Sequence, residues 1–515
     1  MQNILLRYIQ MYDAIIFTEI SNYPVPVKTI GAYKIAQSMR QRGYKVKVIN
    51  SYLEVWDNHG EDLILWMKEI LKPDARFIGI SGTFASGPRD FREGFNFNFS
   101  INQNDTPWNK LNFFLDDMKL YFPNVPIVLG GHSTKSRNIF DELKGSKIDY
   151  WVDGIAEESI HKFLGEKSPD QRFRYDVMGL SHDFHNSKPV YTEEDGIMPY
   201  EVLPFEMSRG CRFKCKFCSF PLLGKNPHDT KYVRSEKSVY DELKSNYENF
   251  GVTKYNMLCD TFNETTEKIE MLCRVKNKLK IDIRFSSYLR VDLLHAHKEQ
   301  IGLLHEAGLQ SSHFGLESFN HESAKAIGKG LRKEKIKETL HLCKETWGDD
   351  VLTDAGFITG LPYETPDTMN SWCQELLDGD YELDTWYLGV LSFINIGKTV
   401  EEYAYSSDFE KDPAKYGYSF PDKNDKHNWF NGTFTKKTAM EFATSWEKKW
   451  DNKNKIRSWP AMGLQSYNIY DEFYWPEIRD LKKNDMKSPS PELRKKLVGL
   501  KTRYIEDYWN KVNTL

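Results

Sequence analysis

The chain has 515 residues, of which 40% are hydrophobic and 28% are charged, and its formal net charge is −4. This length exceeds what one ordinary hydrophobic core accommodates, and the nearly balanced charge excludes a general attraction to nucleic acid or to anionic membranes. No apolar stretch approaches the roughly 18 residues of a membrane span, and the start lacks a signal-peptide pattern, so we expect a cytoplasmic protein.

The first 165 residues alternate short apolar runs with helical stretches, which predicts an α/β domain with a doubly wound, Rossmann-like parallel sheet. A helix is predicted over 30–43, where apolar residues recur at helical spacing and a glycine ends the run. Ligands of such sheets bind beyond the carboxyl ends of the strands, here the loops 18–28, 82–87 and 130–135. The predicted strands are 14–17, 45–50, 77–81, 126–130 and 150–153, and 95–108 is predicted to be an irregular insertion.

A polar connector without periodicity is predicted over 166–200, and a second α/β region over 201–395. Six strand-helix repeats of this length fit a partial barrel better than a complete barrel of eight. The strands predicted for it are 202–207, 254–258, 283–287, 311–316, 353–358 and 385–390.

Residues 396–515 are predicted to form a mainly helical, aromatic-rich cap on the substrate side, because the alternation of strands and helices ends there. The segment holds 6 of the 13 tryptophans, and 436–515 carries 17 Lys and Arg against 11 Asp and Glu. A helix is predicted over 435–451, although aromatic residues at helical spacing line a core more often than a ligand site. A ligand held there by stacking and by the basic surplus would be a flat or anionic small molecule.

Three of the seven cysteines, Cys211, Cys215 and Cys218, lie within eight residues, directly after the first strand predicted for the barrel. Three thiolates are one fewer than a closed structural zinc site needs, whereas they suit a four-iron cluster with one iron open to another ligand. Gly210 removes a side chain beside the loop and lets the sulfurs converge. No cysteine precedes these three, which disfavours a disulfide framework and agrees with a reducing compartment.

The same three cysteines admit two other interpretations. Their spacing also fits one buried helix face, although the basic residues between them suit a core poorly. A zinc site completed by Cys259, Cys273 or a histidine would instead stabilise a non-catalytic binding module.

The spacing CxxxCxxC, with the aromatic Phe217 before the last cysteine, resembles the cluster loop of the radical S-adenosylmethionine (radical SAM) superfamily. The resemblance implies that Cys211, Cys215 and Cys218 bind a [4Fe-4S] cluster, that its free iron binds S-adenosyl-L-methionine, and that Phe217 lies beside the cofactor. It further implies reductive cleavage of this cofactor to a 5′-deoxyadenosyl radical. A reducing partner such as flavodoxin or ferredoxin is therefore expected.

Four later segments resemble radical SAM motifs and follow successive predicted strands at regular intervals. The resemblance implies that Arg290 and the other motif residues bind S-adenosylmethionine, with Arg290 as a cation for the cofactor's carboxylate. Taken singly, such motifs are also turns, helix caps and surface ion pairs, so their order after the cysteines carries the prediction. The predicted cofactor residues are Asp260, Arg290, Glu317, Ser318 and Gly360.

The amino-terminal region resembles the cobalamin-binding domain fused to one branch of this superfamily. The matching segments contain Ser81, Gly130 and Gly131, which the resemblance places among the cobalamin contacts. The Asp-x-His-x-x-Gly loop, which supplies a histidine to cobalt in many such domains, is absent after the first strand, and His132 is expected to pack beside its turn. The domain therefore either binds cobalamin without that histidine or is a scaffold that has lost the cofactor.

With cobalamin, the resemblance implies methylation of an unactivated carbon after hydrogen abstraction from a small-molecule substrate. Without cobalamin, the same radical would lead to rearrangement, cyclisation or oxidation. Methylthio transfer is disfavoured, because the amino-terminal domain of that group carries three cysteines of its own and this one carries none.

Overall fold

The computed structural model of the protein divides the chain into two compact units. The first comprises residues 1–182, 188–198 and 498–515, and the second comprises 183–187 and 199–497. No helix in the described part of the chain is long and apolar enough to cross a membrane. The structure describes residues 10–18, 28–81, 107–131, 147–153, 156–157, 160, 172–174, 184–218, 232–393, 407–421, 428–452 and 491–514.

The first unit is built on a parallel sheet of six strands. These are β1 (Ala14–Thr18), β2 (Val46–Asn50), β3 (Phe77–Ser81), β4 (Ile127–Gly130), β5 (Tyr150–Asp153) and β6 (Arg172–Arg174). Their order across the sheet is β2-β1-β3-β4-β5-β6, and every position of β1 and β2 is buried, as in a sheet covered on both faces. The predicted Rossmann-like fold is confirmed. The helices described between these strands are α1 (Ile30–Arg40), α2 (Tyr52–Ile70) and α3 (Pro107–Tyr121).

Strand β6 corrects the prediction of a polar connector over 166–200. It pairs in parallel with β5, with Trp151 opposite Arg172 and Val152 opposite Phe173. The sequence of this strand is only Arg-Phe-Arg, which is too short and too polar to show either alternation or an apolar run.

The second unit is built on a sheet of six parallel strands in sequential order, which confirms the predicted partial barrel. The strands are β7 (Val202–Phe205), β8 (Lys254–Met257), β9 (Arg284–Leu289), β10 (Leu309–Glu317), β11 (Leu352–Thr359) and β12 (Thr385–Val390). The helices between them are α4 (Glu236–Phe250), α5 (Thr266–Leu279), α6 (Val291–Ala296), α7 (Glu299–Ala307), α8 (His321–Ala326), α9 (Lys333–Trp347) and α10 (Pro366–Asp378).

Strand β10 shows which side chains of the barrel sheet face inward. Phe314 stacks on Trp347 of α9 with ring centroids 6.4 Å apart, so this position faces the surrounding helices. Because side chains alternate along a strand, His313 and Gly315 face the barrel interior.

The segment after β12 contributes α11 (Asp408–Lys411) and α12 (Lys436–Asn452), and α12 confirms the helix predicted over 435–451. Trp446 and Trp450 of α12 are 3% and 0% exposed. Their indole nitrogens donate to the side chain of Asn370 at 2.8 Å and to the carbonyl oxygen of Cys373 at 3.4 Å, both on α10. These aromatic residues are therefore core, and the prediction of a substrate-side cap is corrected for this helix.

The last helix, α13 (Pro491–Val512), corrects the prediction of a single cap over 396–515. Its residues from 498 onward belong to the first unit. The hydroxyl of Tyr508 accepts a hydrogen bond from the backbone N–H of Asn50 at 2.9 Å, and Trp509 stacks on His59 with centroids 5.8 Å apart. The aromatic face of α13 is thus buried on a different sheet from that of α12.

Candidate functional site

The cysteine loop follows β7 at the carboxyl end of the barrel sheet, and all three of its cysteines are partly exposed. The Sγ of Cys211 lies 3.4 Å from Oγ1 of Thr261, and the Sγ of Cys215 accepts a hydrogen bond from Nη1 of Arg290 at 3.1 Å. Burial raises the pKa of the Cys211 thiol, and the Thr261 hydroxyl opposes that shift. Metal binding deprotonates cysteine ligands, so donors placed at their sulfurs stabilise the ligated form.

Backbone hydrogen bonds fix the shape of this loop. The N–H of Lys216 donates to the carbonyl oxygen of Ile327 at 3.0 Å, and the N–H of Cys218 donates to that of Cys215 at 3.1 Å. Gly210 has a φ of 87°, in the left-handed region that glycine adopts without strain, as its predicted role in the loop requires.

Lys268 on α5 connects the cysteine loop with the next strand end. Its ammonium group donates to Oγ of Ser208 at 2.9 Å, to the carbonyl oxygen of Thr261 at 3.0 Å and to Oε1 of Glu264 at 2.6 Å. The side chains of Lys268 and Glu264 are each 1% exposed, so this ion pair is fully desolvated. Lys268 was not predicted from the sequence, because nothing in a helix sequence shows that one of its lysines points into the protein.

Arg290 faces the cysteine loop and is held there on three sides. Its Nε and Nη2 donate to the two carboxylate oxygens of Asp292 at 3.0 and 2.6 Å, and the ring of Phe213 lies 4.1 Å from its guanidinium carbon. Burial acts to lower the pKa of Arg290, but Asp292 and Cys215 raise it above its usual value, so the group stays charged. The structure therefore directs Arg290 at a cysteine sulfur, whereas its predicted contact with a cofactor carboxylate stays a prediction.

Asp260 follows β8 and remains accessible to solvent, although protein atoms surround it on most sides. The resulting desolvation raises the pKa of the Asp260 carboxyl to about 7. The charges of Glu206 and Glu264 add to this shift, and that of Lys268 opposes it. An accessible carboxyl with a pKa near neutrality is typical of functional sites.

Glu317, at the end of β10, has a φ of 66°, which is unusual for a residue other than glycine and typical of positions held in place for function. Its carboxylate accepts a hydrogen bond from Nζ of Lys329 at 3.0 Å and lies over Gly315, where a Cβ atom would come within 2.7 Å of it. Ser318 is buried and donates to the carboxylate of Glu364. Glu317 thus lies on the partly exposed inner face, and Ser318 stabilises the turn behind it.

Gly360 follows β11 and packs against residues that lie later in the chain. A Cβ atom at this position would come within 2.2 Å of the ring of Trp429, and the carbonyl oxygen of Gly360 accepts hydrogen bonds from Tyr418 at 2.8 Å and Asn431 at 3.1 Å. This packing explains the glycine, whereas its predicted cofactor contact stays a prediction. Phe217 is partly exposed in the cysteine loop, and its predicted place beside the cofactor stays a prediction as well.

The donor set suits an iron-sulfur cluster with an open iron. Cys259 accepts from the N–H of Met207 at 3.3 Å and Cys273 donates to the carbonyl oxygen of Leu303 at 3.5 Å, so the two cysteines considered for a zinc site are engaged elsewhere. Over the residues that the structure describes, no three His, Cys, Asp or Glu side chains, those of Cys211, Cys215 and Cys218 included, lie close enough together to bind a single metal ion. Three thiols on one loop match the ligand set of a [4Fe-4S] cluster that keeps one iron free.

The predicted cobalamin contacts lie at the carboxyl edge of the sheet in the first unit. Ser81 pairs with Gly130 across β3 and β4, and both residues and Gly131 are partly exposed. The structure thus brings these three residues together at one edge of the sheet, and their contact with cobalamin stays a prediction. Most of the loops 18–28, 82–87 and 130–135, including His132, lies outside the described residues.

Comparison with known families assigns residues 205–376 to the Radical SAM superfamily. The chain is 25% identical over 283 residues to an uncharacterised methyltransferase of Pyrococcus horikoshii. The matched region covers 50% of this chain and 59% of that protein. It is 27% identical over 292 residues to the anaerobic magnesium-protoporphyrin IX monomethyl ester cyclase of Cereibacter sphaeroides. This matched region covers 51% of this chain and 46% of that protein. The chain thus spans about half the length of these curated relatives.

Among solved structures, the chain is similar to the radical S-adenosylmethionine methyltransferase TsrM of Kitasatospora setae. The structure of TsrM with tryptophan substrate and an S-adenosylmethionine analogue aligns with a TM-score of 0.58 at 13% identity and covers 97% of this chain and 99% of that one. A second TsrM structure, with cobalamin and a [4Fe-4S] cluster, aligns with a TM-score of 0.52 at 14% identity and covers 80% and 76%. At such identities the likeness shows the fold.

Proposed function

We propose that the chain uses residues 205–376, which match the Radical SAM superfamily, to cleave S-adenosylmethionine reductively to a 5′-deoxyadenosyl radical. Cys211, Cys215 and Cys218 would hold a [4Fe-4S] cluster, which supplies the electron for this cleavage when it is bound. The observation that carries the proposal is a loop with three accessible thiols. Hydrogen-bonding side chains at the ends of the next two strands, Thr261 and Arg290, contact two of these thiols.

The surrounding residues hold the cysteine loop in shape. Lys268 ties Ser208, just before the loop, to the turn of Thr261, and Asp292 keeps Arg290 directed at Cys215. Because these groups are buried or paired, contacts within the chain hold the loop in one conformation before its ligand binds.

We propose methylation of an unactivated carbon, with cobalamin as the methyl carrier, as the overall reaction. The likeness of TsrM over nearly the whole chain and the curated methyltransferase relative support this proposal. In the first unit, Ser81, Gly130 and Gly131 offer an accessible, small-residue edge of a parallel sheet, which suits the close approach of a large cofactor.

A cobalamin-free rearrangement, cyclisation or oxidation is the second candidate. It is favoured by the lack of the Asp-x-His-x-x-Gly loop and by the similarity to a cyclase. Addition of hydroxocobalamin to the anaerobic protein, followed by gel filtration, separates the two. Corrin absorbance that stays with the protein supports the methyltransferase, and its complete loss supports the second candidate.

The test of radical chemistry is anaerobic reconstitution with iron and sulfide, followed by addition of S-adenosylmethionine and dithionite. We expect a brown protein that forms 5′-deoxyadenosine, measured by mass spectrometry. The Cys215→Ala variant should lose both properties, because two thiolates cannot hold the cluster. The matched control is Cys273→Ala, which removes a thiol that bonds a backbone carbonyl outside the loop and should keep both. A colourless protein that binds one zinc would instead identify a zinc-stabilised, non-catalytic module.

A further inference from the structure

The inner face of the barrel carries polar side chains where a barrel core is ordinarily filled by Val, Ile and Leu. Four of them lie at one level of four adjacent strands, since Tyr288 is in register with His313, His313 with Asp354, and Asp354 with Thr385. We call these four residues the inner layer. Asp354 and Thr385 are 0% exposed and His313 is 5% exposed.

Hydrogen bonds within the inner layer orient the imidazole of His313. Its Nδ1 lies 2.5 Å from Oδ2 of Asp354, whose other oxygen accepts from the hydroxyl of Thr385 at 2.5 Å. When Asp354 is ionised its carboxylate only accepts, so Nδ1 of a neutral imidazole then carries the proton and Nε2 presents a lone pair. Nε2 has no hydrogen-bond partner within the described part of the chain.

On the carboxyl side of this layer, the inner face of the barrel is partly exposed. Tyr288, Gly315, Glu317 and Tyr387 are inner-face residues and are partly exposed, whereas Phe314 on the outer face is buried under a helix. The rings of Tyr288 and Tyr387 lie next to the imidazole of His313, with centroids 5.0 and 5.7 Å from it.

A second polar group in the same interior lacks a partner. Ser311 is two residues before His313 on the same face of β10 and is 0% exposed. Its hydroxyl has no hydrogen-bond partner among the described residues. Because Ser311 precedes His313 on β10, this unpaired hydroxyl lies on the amino side of the inner layer, away from its accessible side.

We propose that His313 is a catalytic base that contacts the substrate, with Asp354 as its positioning residue. An N–H or O–H bond of the substrate breaks and leaves its electron pair on the substrate atom, and the proton binds Nε2. The carboxylate of Asp354 stabilises the resulting imidazolium through Nδ1–H. This deepens the proposed function and rests on it, because it assigns a polar step to the same barrel.

The two tyrosines define the substrate class further. Two aromatic rings next to the imidazole favour a planar molecule that stacks against one of them. The inferred substrate is therefore a planar small molecule that donates an N–H or O–H group to Nε2.

The test is modification of the reconstituted protein with diethylpyrocarbonate, followed by peptide mass spectrometry. This reagent transfers an ethoxycarbonyl group to an unprotonated imidazole nitrogen. We expect His313 to react in the folded protein, and Asp354→Asn to slow its reaction about tenfold or more, because the neutral side chain no longer orients and activates the ring. The internal control is His341, an exposed histidine paired with Glu382, whose rate should not change.

Phenol and anisole test the substrate class in the same experiment. Both are planar, but only phenol donates a hydrogen bond, so phenol should slow the modification of His313 by about half or more at half occupancy and anisole should not. A His313 that reacts only after unfolding, or that neither compound protects, overturns the inference.

5′-Deoxyadenosine formation by the same preparation is measured in parallel. Its presence with an unreactive His313 overturns this inference and leaves the proposed function in place. Its absence overturns the proposed function, and with it the reaction that the base would serve.

Discussion

At the residue scale, the contact between Arg290 and Cys215 has a consequence for the electronics of the cluster. A cation that donates a hydrogen bond to a ligating sulfur stabilises the reduced, more negative state. Asp292 partly neutralises Arg290, but both of its oxygens are taken up by Nε and Nη2, so Nη1 remains directed at the sulfur.

Replacement Arg290→Met should therefore make the midpoint potential of the cluster more negative. The potential is measured by redox titration with detection by electron paramagnetic resonance, alongside iron content to show equal loading. The matched control is Arg284→Met, which removes a guanidinium paired with Asp282 at an exposed position and should leave the potential unchanged. An unchanged potential in fully loaded Arg290→Met would contradict the prediction.

The partners of Arg290 also show what a sequence can and cannot predict at this scale. The position of Arg290 after the third barrel strand was predicted from a motif, but its contact with Cys215 joins residues 75 positions apart. A motif indicates that a cation stands at a strand end, whereas the packing of Phe213 and Asp292 around it decides where its donors point.

At the element scale, Gly360 joins the end of β11 to the segment that follows the barrel. Replacement Gly360→Ala places a Cβ atom 2.2 Å from the ring of Trp429 and also strains a backbone with φ of 93°. The matched control is Gly432→Ala, which has a φ of 86° but nothing within 4 Å of the added atom.

Both variants bear a similar backbone strain, so the difference between them isolates the clash. We expect Gly360→Ala to lower the free energy of unfolding of the second unit by about 1–3 kcal/mol more than Gly432→Ala, as overpacking a core does. Hydrogen exchange of the β11 amides measures this difference. Equal losses would mean that Trp429 moves aside at little cost.

Regular elements were predictable where a periodic pattern reflects burial. Strand β12 was predicted at its observed bounds, 385–390, because its apolar residues pack under α12 as well as into the sheet. Helix α12 was predicted too, but not what its aromatic face contacts. An amphipathic pattern indicates that a face is buried and carries no information about the partner, so core packing on α10 was mistaken for a ligand wall.

At the scale of the whole molecule, the chain returns to its first unit after completing the second. Tyr508 is 0% exposed, accepts a hydrogen bond from Asn50 of β2, and has the ammonium group of Lys28 over its ring at 4.7 Å. The sheet proposed to bind cobalamin therefore depends on the last helix of the chain for part of its core.

Replacement Tyr508→Ala should destabilise the first unit by about 3–5 kcal/mol, since it removes a buried aromatic ring and leaves the Asn50 N–H without its acceptor. Hydrogen exchange should rise in β1 and β2 and stay unchanged in β9 and β10, and retained hydroxocobalamin should fall while iron content is kept. Tyr247→Ala on α4, where the tyrosine is 47% exposed, is the matched control and should change neither. Faster exchange in both sheets of Tyr508→Ala would show that the units unfold together and would contradict a separate dependence of the first unit on α13.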